Sequence, residues 1–321
     1  MVNDAYAYCE RLAREHYENF PVASRLLPRR MRPHVAAIYA FARIADDMAD
    51  EGQRPASARL HDLDAWRQRL HRAARGGATD DCPHAEVFVA LRQTIADCRL
   101  PVSLLDDLLS AFAQDVTVTR YASWANVLDY CRRSANPVGR LVLRVAGREN
   151  PSMDAASDAV CTALQLTNFW QDVEVDWRKG RLYVPEDVWR TAGAREADLE
   201  ARRLTPEWRA AFGEVSRRTR ALFAEGRSVC DGVRGRLRWE LRATWLGGTR
   251  ILDKLESSGF DVFNQRPTLS AADAPWFLWR LLTWRAAAAI APPAIAASGL
   301  PPSQPASGET GRRGGRRSEA D

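Results

Sequence analysis

Segment after segment of the 321-residue chain carries apolar residues three and four apart. "LHDLDAWRQRLHRAA" (60–74), "EVFVALRQTIADC" (86–98), "VSLLDDLLSAFAQDV" (102–116) and "RRTRALFAEGRSVCDGV" (217–233) all have the period of a helix with one buried face. Strand-like alternation is nearly absent. The segments are separated by "PRRMRP" (28–33), "GGATDDCP" (76–83), "GRENPS" (147–152) and "RKGRLYVP" (178–185), stretches whose Pro, Gly and Asn end helices. The pattern predicts an all-α fold: a single large helical bundle over 1–300 with no second domain. Residues 301–321, "PPSQPASGETGRRGGRRSEAD", are rich in Pro, Gly, Ser and Arg and predict a disordered basic tail.

Within these helices, carboxylates occupy apolar ground at two places. "FARIADDMAD" (41–50) sets Asp46 and Asp50 four apart among Phe41, Ile44, Ala45 and Met48. "LQLTNFWQDVEVDW" (164–177) sets Asn168, Asp172 and Asp176 four apart among Leu164, Leu166, Phe169, Trp170 and Val173. Residues at that spacing share a helix face, roughly 6 Å apart along the axis. Like charges so placed repel unless something positive lies between them. A solvated face explains one such pair. Two in apolar surroundings, with Arg43 beside the first and Arg178, Lys179 and Arg181 after the second, predict a site for Mg²⁺ and a diphosphate. Mg²⁺ takes oxygen ligands and binds through one or two carboxylates plus substrate phosphates.

Other classes fare worse. The net charge of +5 and pI of 9.0 come from 46 basic residues mixed with 41 acidic ones, so no nucleic-acid-binding surface is predicted. Cys9, Cys82, Cys98, Cys131, Cys161 and Cys230 are scattered singly, with neither the Cys/His pairs of a zinc site nor a secretory segment before them. A cytoplasmic protein is expected. A phosphate-cradling Gly-rich loop is missing too. The longest apolar stretch, 275–297, is broken by Arg280, Arg285 and Pro292-Pro293, so it does not read as a spanning helix. Its Trp276, Phe277, Trp279 and Trp284 suit either a helix lying on the inner face of the membrane or one packed on the core.

With these residues in view, the chain resembles the head-to-head prenyl transferases, the squalene and phytoene synthases, over about residues 5–265. "YAFARIADDMADE" (39–51) resembles the family's first aspartate motif, and "LQLTNFWQDVEVDWRKGRLYVP" (164–185) its second. "YCRRSANPVG" (130–139) resembles a third helical segment. "HYENFPVAS" (16–24) and "SANPVGR" (134–140) look most like the hydroxysqualene synthases of the bacterial hopanoid route.

The resemblance implies an isoprenoid-synthase bundle with a central cavity. It also implies that Asp46 and Asp50 hold Mg²⁺ from one side and Asn168, Asp172 and Asp176 from the other. Asp47 and Glu51 turn off that face. Arg43 and Arg181 would contact diphosphate, with Tyr130 and Tyr183 near the cavity and Phe20 near its mouth. For these three aromatics, packing in a helical core is an equal alternative. Asn136-Pro137 should break a helix beside the cavity and shape it for substrate.

Two departures are visible. Gly248 stands where relatives often carry a tyrosine, and Tyr17 and Asn19 where they often carry serines. These departures suit a single bulky substrate. The implied reaction is that of presqualene diphosphate with water, giving hydroxysqualene and diphosphate. Condensation of two prenyl diphosphates, and a non-catalytic assembly protein of the same fold, are the rivals. The absence of a Gly-x-Gly-x-x-Gly fingerprint favours water over hydride as the capturing group, although related reducing synthases do not use that motif either. No residue is singled out to position the water. Among the five histidines only His16 is near the relevant segment.

Overall fold

The computed structural model describes residues 2–15, 26–50, 54–78 and 83–285. The expected helices form where the period placed them. Helix α1 (Val2–Glu15) packs on α2 (Arg32–Asp50) and α4 (Ala85–Cys98), with α3 (Ala56–Ala74) and α5 (Val102–Asp115) closing the first half. The second half contains α6 (Trp124–Ser134), α7 (Asn136–Val145), α8 (Pro151–Gln171), α9 (Val173–Arg178), α10 (Glu186–Thr191) and α11 (Glu196–Glu200). It is completed by α12 (Pro206–Gly226), α13 (Val229–Gly232), α14 (Gly235–Ser257) and α15 (Ala274–Leu282). The segment read as one helix over 217–233 is divided between α12 and α13. Among the described residues there is no strand, only an isolated parallel bridge between Arg120 and Leu182.

Helices α2 and α8 are central because each buries more than one face. On α2, Ala36, Ala37, Ala40, Ala45 and Ala49 let neighbours approach, while Phe41 stacks on Trp66 of α3 at 5.8 Å and its carbonyl accepts from Trp66 Nε1. On α8, Asn150 caps the amides of Ser152 and Met153, and Pro151 opens the helix where no amide is needed. Its other end is pinned by Trp170 Nε1 donating to Thr219 Oγ1 of α12 at 2.9 Å. Full burial of a side chain as large as Trp66 or Trp170 stabilises by about 1.5–3 kcal/mol or more.

The expected break at Asn136-Pro137 occurs. α6 stops at Ser134 and α7 starts at Asn136 with proline in its first turn, where its ring is tolerated. The second aspartate motif differs from the continuous helix expected. α8 ends at Gln171, and α9 restarts after Asp172, whose φ of −105° and ψ of 14° leave the helical range. The hydrogen bonds from Asp172 N to Asn168 O and from Asp176 N to Asp172 O persist, so the three polar residues remain in register along the interruption.

Candidate active site

Two loops lace the site together. The chain after α5 runs beside the chain after α9: Leu182 N donates to Thr119 O, Glu186 N to Tyr121 O, and Arg120 Nη1 to Gly180 O. This fixes Arg181 against the end of α2 and Tyr183 against Tyr121 and Phe169. Arg181 Nη2 donates to Asp50 Oδ1 at 2.7 Å and to the Asp115 carbonyl at 3.2 Å, and Lys179 Nζ lies 3.9 Å from Asp50. The tail of the second motif therefore meets the end of the first.

The carboxylates crowd one another. Asp46 retains some surface to solvent, yet most of its surroundings are protein; that desolvation, with the Asp50 charge, pushes its pKa up to about 6. Burial and Asp172 push Asp176 up to about 7. Cation partners offset part of this. Arg43 contacts Asp47 at 2.5 Å and Asp46 at 3.4 Å, and Arg266 grips Asp172 with both ends of its fork at 2.5 and 3.1 Å. Gln171 Nε2 bonds Pro267 O at 2.5 Å, holding the loop that carries Arg266 over the interruption.

Two contributors escaped the sequence reading. Arg266 lies in a loop without a motif. Asp115 closes α5, and its Oδ2 accepts from the Tyr130 hydroxyl at 2.7 Å, while Oδ1 is buried with no hydrogen-bond partner among the described residues. Burial is the largest influence on Asp115 and raises its pKa to about 7, with Asp50 and Asp46 adding to the rise. One signal was available: a carboxylate at a helix C-terminus faces the negative end of the dipole. Such a placement needs a reason.

Tyr130 and Tyr183 join an aromatic wall beneath the carboxylates. Phe169 and Tyr183 stack with centroids 3.7 Å apart, and Tyr121 and Tyr130 pack around them. Burial raises the pKa of both Tyr130 and Tyr183, so their hydroxyls stay protonated and can donate. Asn136 is differently placed from the substrate contact expected. Its Oδ1 accepts from Thr162 Oγ1 at 2.8 Å in a buried bond, and its neighbours Ser134, Ala135 and Val138 line the cavity instead. Phe20, Glu51 and the 16–24 segment lie outside the described residues, as does 301–321.

Two cavities open from this region, of about 520 and 370 Å³, the size range of small-molecule sites. The larger is bounded by α8, α14 and α15; the smaller runs between α7, α8 and α14, with walls such as Val138, Val142, Val160 and Leu237. They share Leu164, Asn168, Glu240 and Thr244. Gly248 in the larger cavity is forced by close approach: a Cβ there would meet Phe223 Cζ at 2.5 Å and Leu164 Cδ2 at 2.6 Å. The space a relative's tyrosine would need is filled.

The donor set suits a hard divalent cation, being carboxylate and amide oxygens held in mutual repulsion with one buried oxygen lacking a partner. Among the described residues no three Asp, Glu, His or Cys side chains converge on one point. Any single ion would thus be held by one or two carboxylates, with substrate oxygens and waters completing its shell.

An all-α bundle in which the end of one aspartate-bearing helix meets the tail of a second aspartate motif, whose Asn168 lines apolar cavities, defines the isoprenoid-synthase class. The chain belongs to the squalene/phytoene synthase family, whose model matches residues 13–273. It is 36% identical over 242 residues to hydroxysqualene synthase of Rhodopseudomonas palustris, covering 75% of this chain and 80% of that protein. It is 33% identical over 255 residues to hydroxysqualene synthase of Sinorhizobium fredii, covering 79% and 84%. The crystal structure of squalene synthase HpnC from Alicyclobacillus acidocaldarius superposes with a TM-score of 0.75 at 40% identity, covering 81% of this chain and 95% of that one.

Proposed function

We propose that the protein is a hydroxysqualene synthase, converting presqualene diphosphate and water to hydroxysqualene and diphosphate. The observation that supports this is the meeting of Arg181 with Asp50, which joins the tail of the second aspartate motif to the end of the first, while Asn168 of the second motif lines both apolar cavities. The names of the relatives at 33–40% identity agree with it.

The roles follow from chemistry. Asp46 and Asp50 would hold Mg²⁺ from α2, and Asn168, Asp172 and Asp176 from the α8–α9 side. When bound, Mg²⁺ neutralises charge developing on the leaving diphosphate. Arg181 and Arg43, rigid forks of donors, bind diphosphate oxygens as the carbon–oxygen bond breaks. The carbocation then lies in the apolar cavities, with the buried aromatic cluster of Tyr130, Phe169 and Tyr183 holding the carboxylate-bearing elements in place. The Tyr130 hydroxyl gives its proton to Asp115 Oδ2 and so holds the end of α5, whose Asp115 carbonyl accepts from Arg181. Apolar walls exclude all but the capturing water.

Contact with a lipid surface forms part of the proposal, because the substrate is largely hydrocarbon. Helix α15 buries no residue; Leu278, Trp279 and Leu282 are 60%, 58% and 74% exposed, while Phe277 lines the larger cavity. No helix among the described residues is long and apolar enough to cross a membrane.

A second reading, condensation of two prenyl diphosphates, draws on the pair of cavities and on 33% identity to phytoene synthase of Thermus thermophilus. Product analysis separates the two. Purified protein with Mg²⁺ and no NADPH should form hydroxysqualene from presqualene diphosphate and nothing from farnesyl or geranylgeranyl diphosphate. A condensed product from either of the last two would move the assignment to the condensing synthases.

A further inference from the structure

Helix α14 turns one stripe toward the larger cavity: Glu240, Thr244, Gly247, Gly248 and Ile251, at helical spacing. Only its first member carries a charge-bearing side chain. Glu240 is 5% exposed and belongs to the shared edge of both cavities, with Leu164, Asn168 and Thr244. It is remote in sequence from both aspartate motifs and adds nothing to their pattern.

A water that captures a carbocation there needs two things: polar partners to hold it, and an acceptor for the proton it must lose. An ordered water takes two to four polar partners. At this edge they are Glu240 and Thr244, and on the adjoining wall of the larger cavity Thr167, whose hydroxyl donates to Ala163 O and so presents its lone pair. Proton acceptors are fewer. The titratable residues lining the two cavities, among those described, are Glu240, Cys161 and Cys230. Burial pushes the two thiols up to about 11 and about 12, so they keep their protons.

We propose that Glu240 positions the capturing water and accepts its proton; this rests on the hydroxysqualene reading above. The carbon–oxygen bond to diphosphate breaks with its electron pair leaving on diphosphate. A lone pair of the water oxygen forms the new carbon–oxygen bond. The resulting oxonium gives one proton to the Glu240 carboxylate, leaving a neutral alcohol and a carboxylic acid that reprotonates solvent on product release. No redox partner is involved.

The test reads alcohol formed per diphosphate released, with presqualene diphosphate as substrate, for the wild type, Glu240→Gln, Glu240→Asp and Thr244→Val. A general loss of activity leaves that ratio unmoved. Removing a proton acceptor typically costs a factor of about 10² or more in the step it serves, so Glu240→Gln should lower the ratio at least about tenfold. The missing alcohol should appear as hydrocarbon formed by proton loss from the cation. Glu240→Asp, which keeps the carboxylate, should recover part of the ratio, and Thr244→Val should lower it to a smaller extent. Should Glu240→Gln release too little diphosphate to be read, the Asp and Val variants decide by the same ratio. Wild-type ratios in the variants that can be read overturn the role of Glu240 alone. Diphosphate release without alcohol in the wild type overturns the hydroxysqualene reading, and this inference with it.

Discussion

Arg181 Nη2 sits 2.7 Å from Asp50 Oδ1, joining residues 131 positions apart and bringing the last turn of α2 against the loop after α9. The guanidinium holds the Asp50 carboxylate and the Asp115 carbonyl, and in the proposed reaction it would turn its fork to diphosphate. Arg181→Met keeps the bulk of the stem and removes the fork. Asp50 is left with Lys179 at 3.9 Å, so the fold survives. Turnover should fall by at least about 10², the scale of losing one charge-stabilising donor. The rise in Tm that Mg²⁺ with inorganic diphosphate gives the wild type should shrink in the variant. An undiminished rise would remove Arg181 from the anion site.

Asp172 tests the other side. Its fork-to-fork pair with Arg266 is half-open to solvent, and such pairs contribute about 1 kcal/mol or less. Asp172→Asn should therefore leave helix content unchanged by circular dichroism and lower Tm only slightly. Turnover should be abolished in the product assay. Retained turnover would exclude Asp172 from the cation-binding set.

Asp115 sets an unusual pH dependence. Its carboxyl is held at about 7 in the fold against about 4 in an unfolded chain, so between these values the native state binds the extra proton. Stability contributed by this group is therefore full below pH 4 and is lost as pH rises toward 7, by at most about 1.4 kcal/mol per pH unit. Asp115→Asn imitates the protonated form and keeps an acceptor for Tyr130. Denaturant midpoints of wild type and variant should converge below about pH 4 and separate as pH rises, with the variant the more stable at pH 8. Parallel curves across that range would contradict the assignment.

Much of the fold was legible because helical period is a local property. α3, α4 and α5 fall on the segments whose apolar spacing announced them, and the proline at 137 marked the α6–α7 break. The paired aspartates were legible because a spacing of four places side chains together on any helix. The interruption at Asp172 was not, since it depends on contacts with the Arg266 loop far along the chain. Arg266 and Glu240 were invisible for the same reason: each is a single polar residue in an ordinary loop or helix, given meaning only by what folds against it; Asp115 left only the weak signal of a carboxylate at a helix C-terminus. Asn136 shows the converse, a residue noticed for its motif whose side chain is spent on Thr162.

Gly248 is where a departure from the family pattern acquires a physical cause. Phe223 is buried, and both its ring and the Leu164 side chain stand within 2.6 Å of where a Cβ would sit. Gly248→Ala should destabilise by about 1–3 kcal/mol, the usual cost of overpacking. It should also narrow the larger cavity and raise KM for a thirty-carbon substrate more than it lowers kcat. Measured by denaturant midpoint and steady-state kinetics, a neutral substitution would mean that the helices part there easily.

The outer face of α15 gives the last expectation. Trp284 ties the chain just beyond it to the core, packing edge-on to Trp245 at 5.4 Å and donating Nε1 to Asp231, while Asp273 at its start is clamped by Arg250 and Lys254. A helix fastened at both ends, yet turning Leu278, Trp279 and Leu282 to solvent, is built to present those side chains. Arg280, set over Trp276 and Trp279, supplies a cation for lipid phosphate. Trp279→Ser with Leu282→Ser should cut co-sedimentation with anionic vesicles several-fold. Turnover of detergent-dispersed substrate should persist, because neither side chain lines a cavity. Since Phe277 on the same helix does line one, the double variant should also slow turnover of substrate presented in vesicles. Equal vesicle binding by variant and wild type would leave α15 as a solvent-facing cover and require another route for an insoluble substrate to reach the cavity.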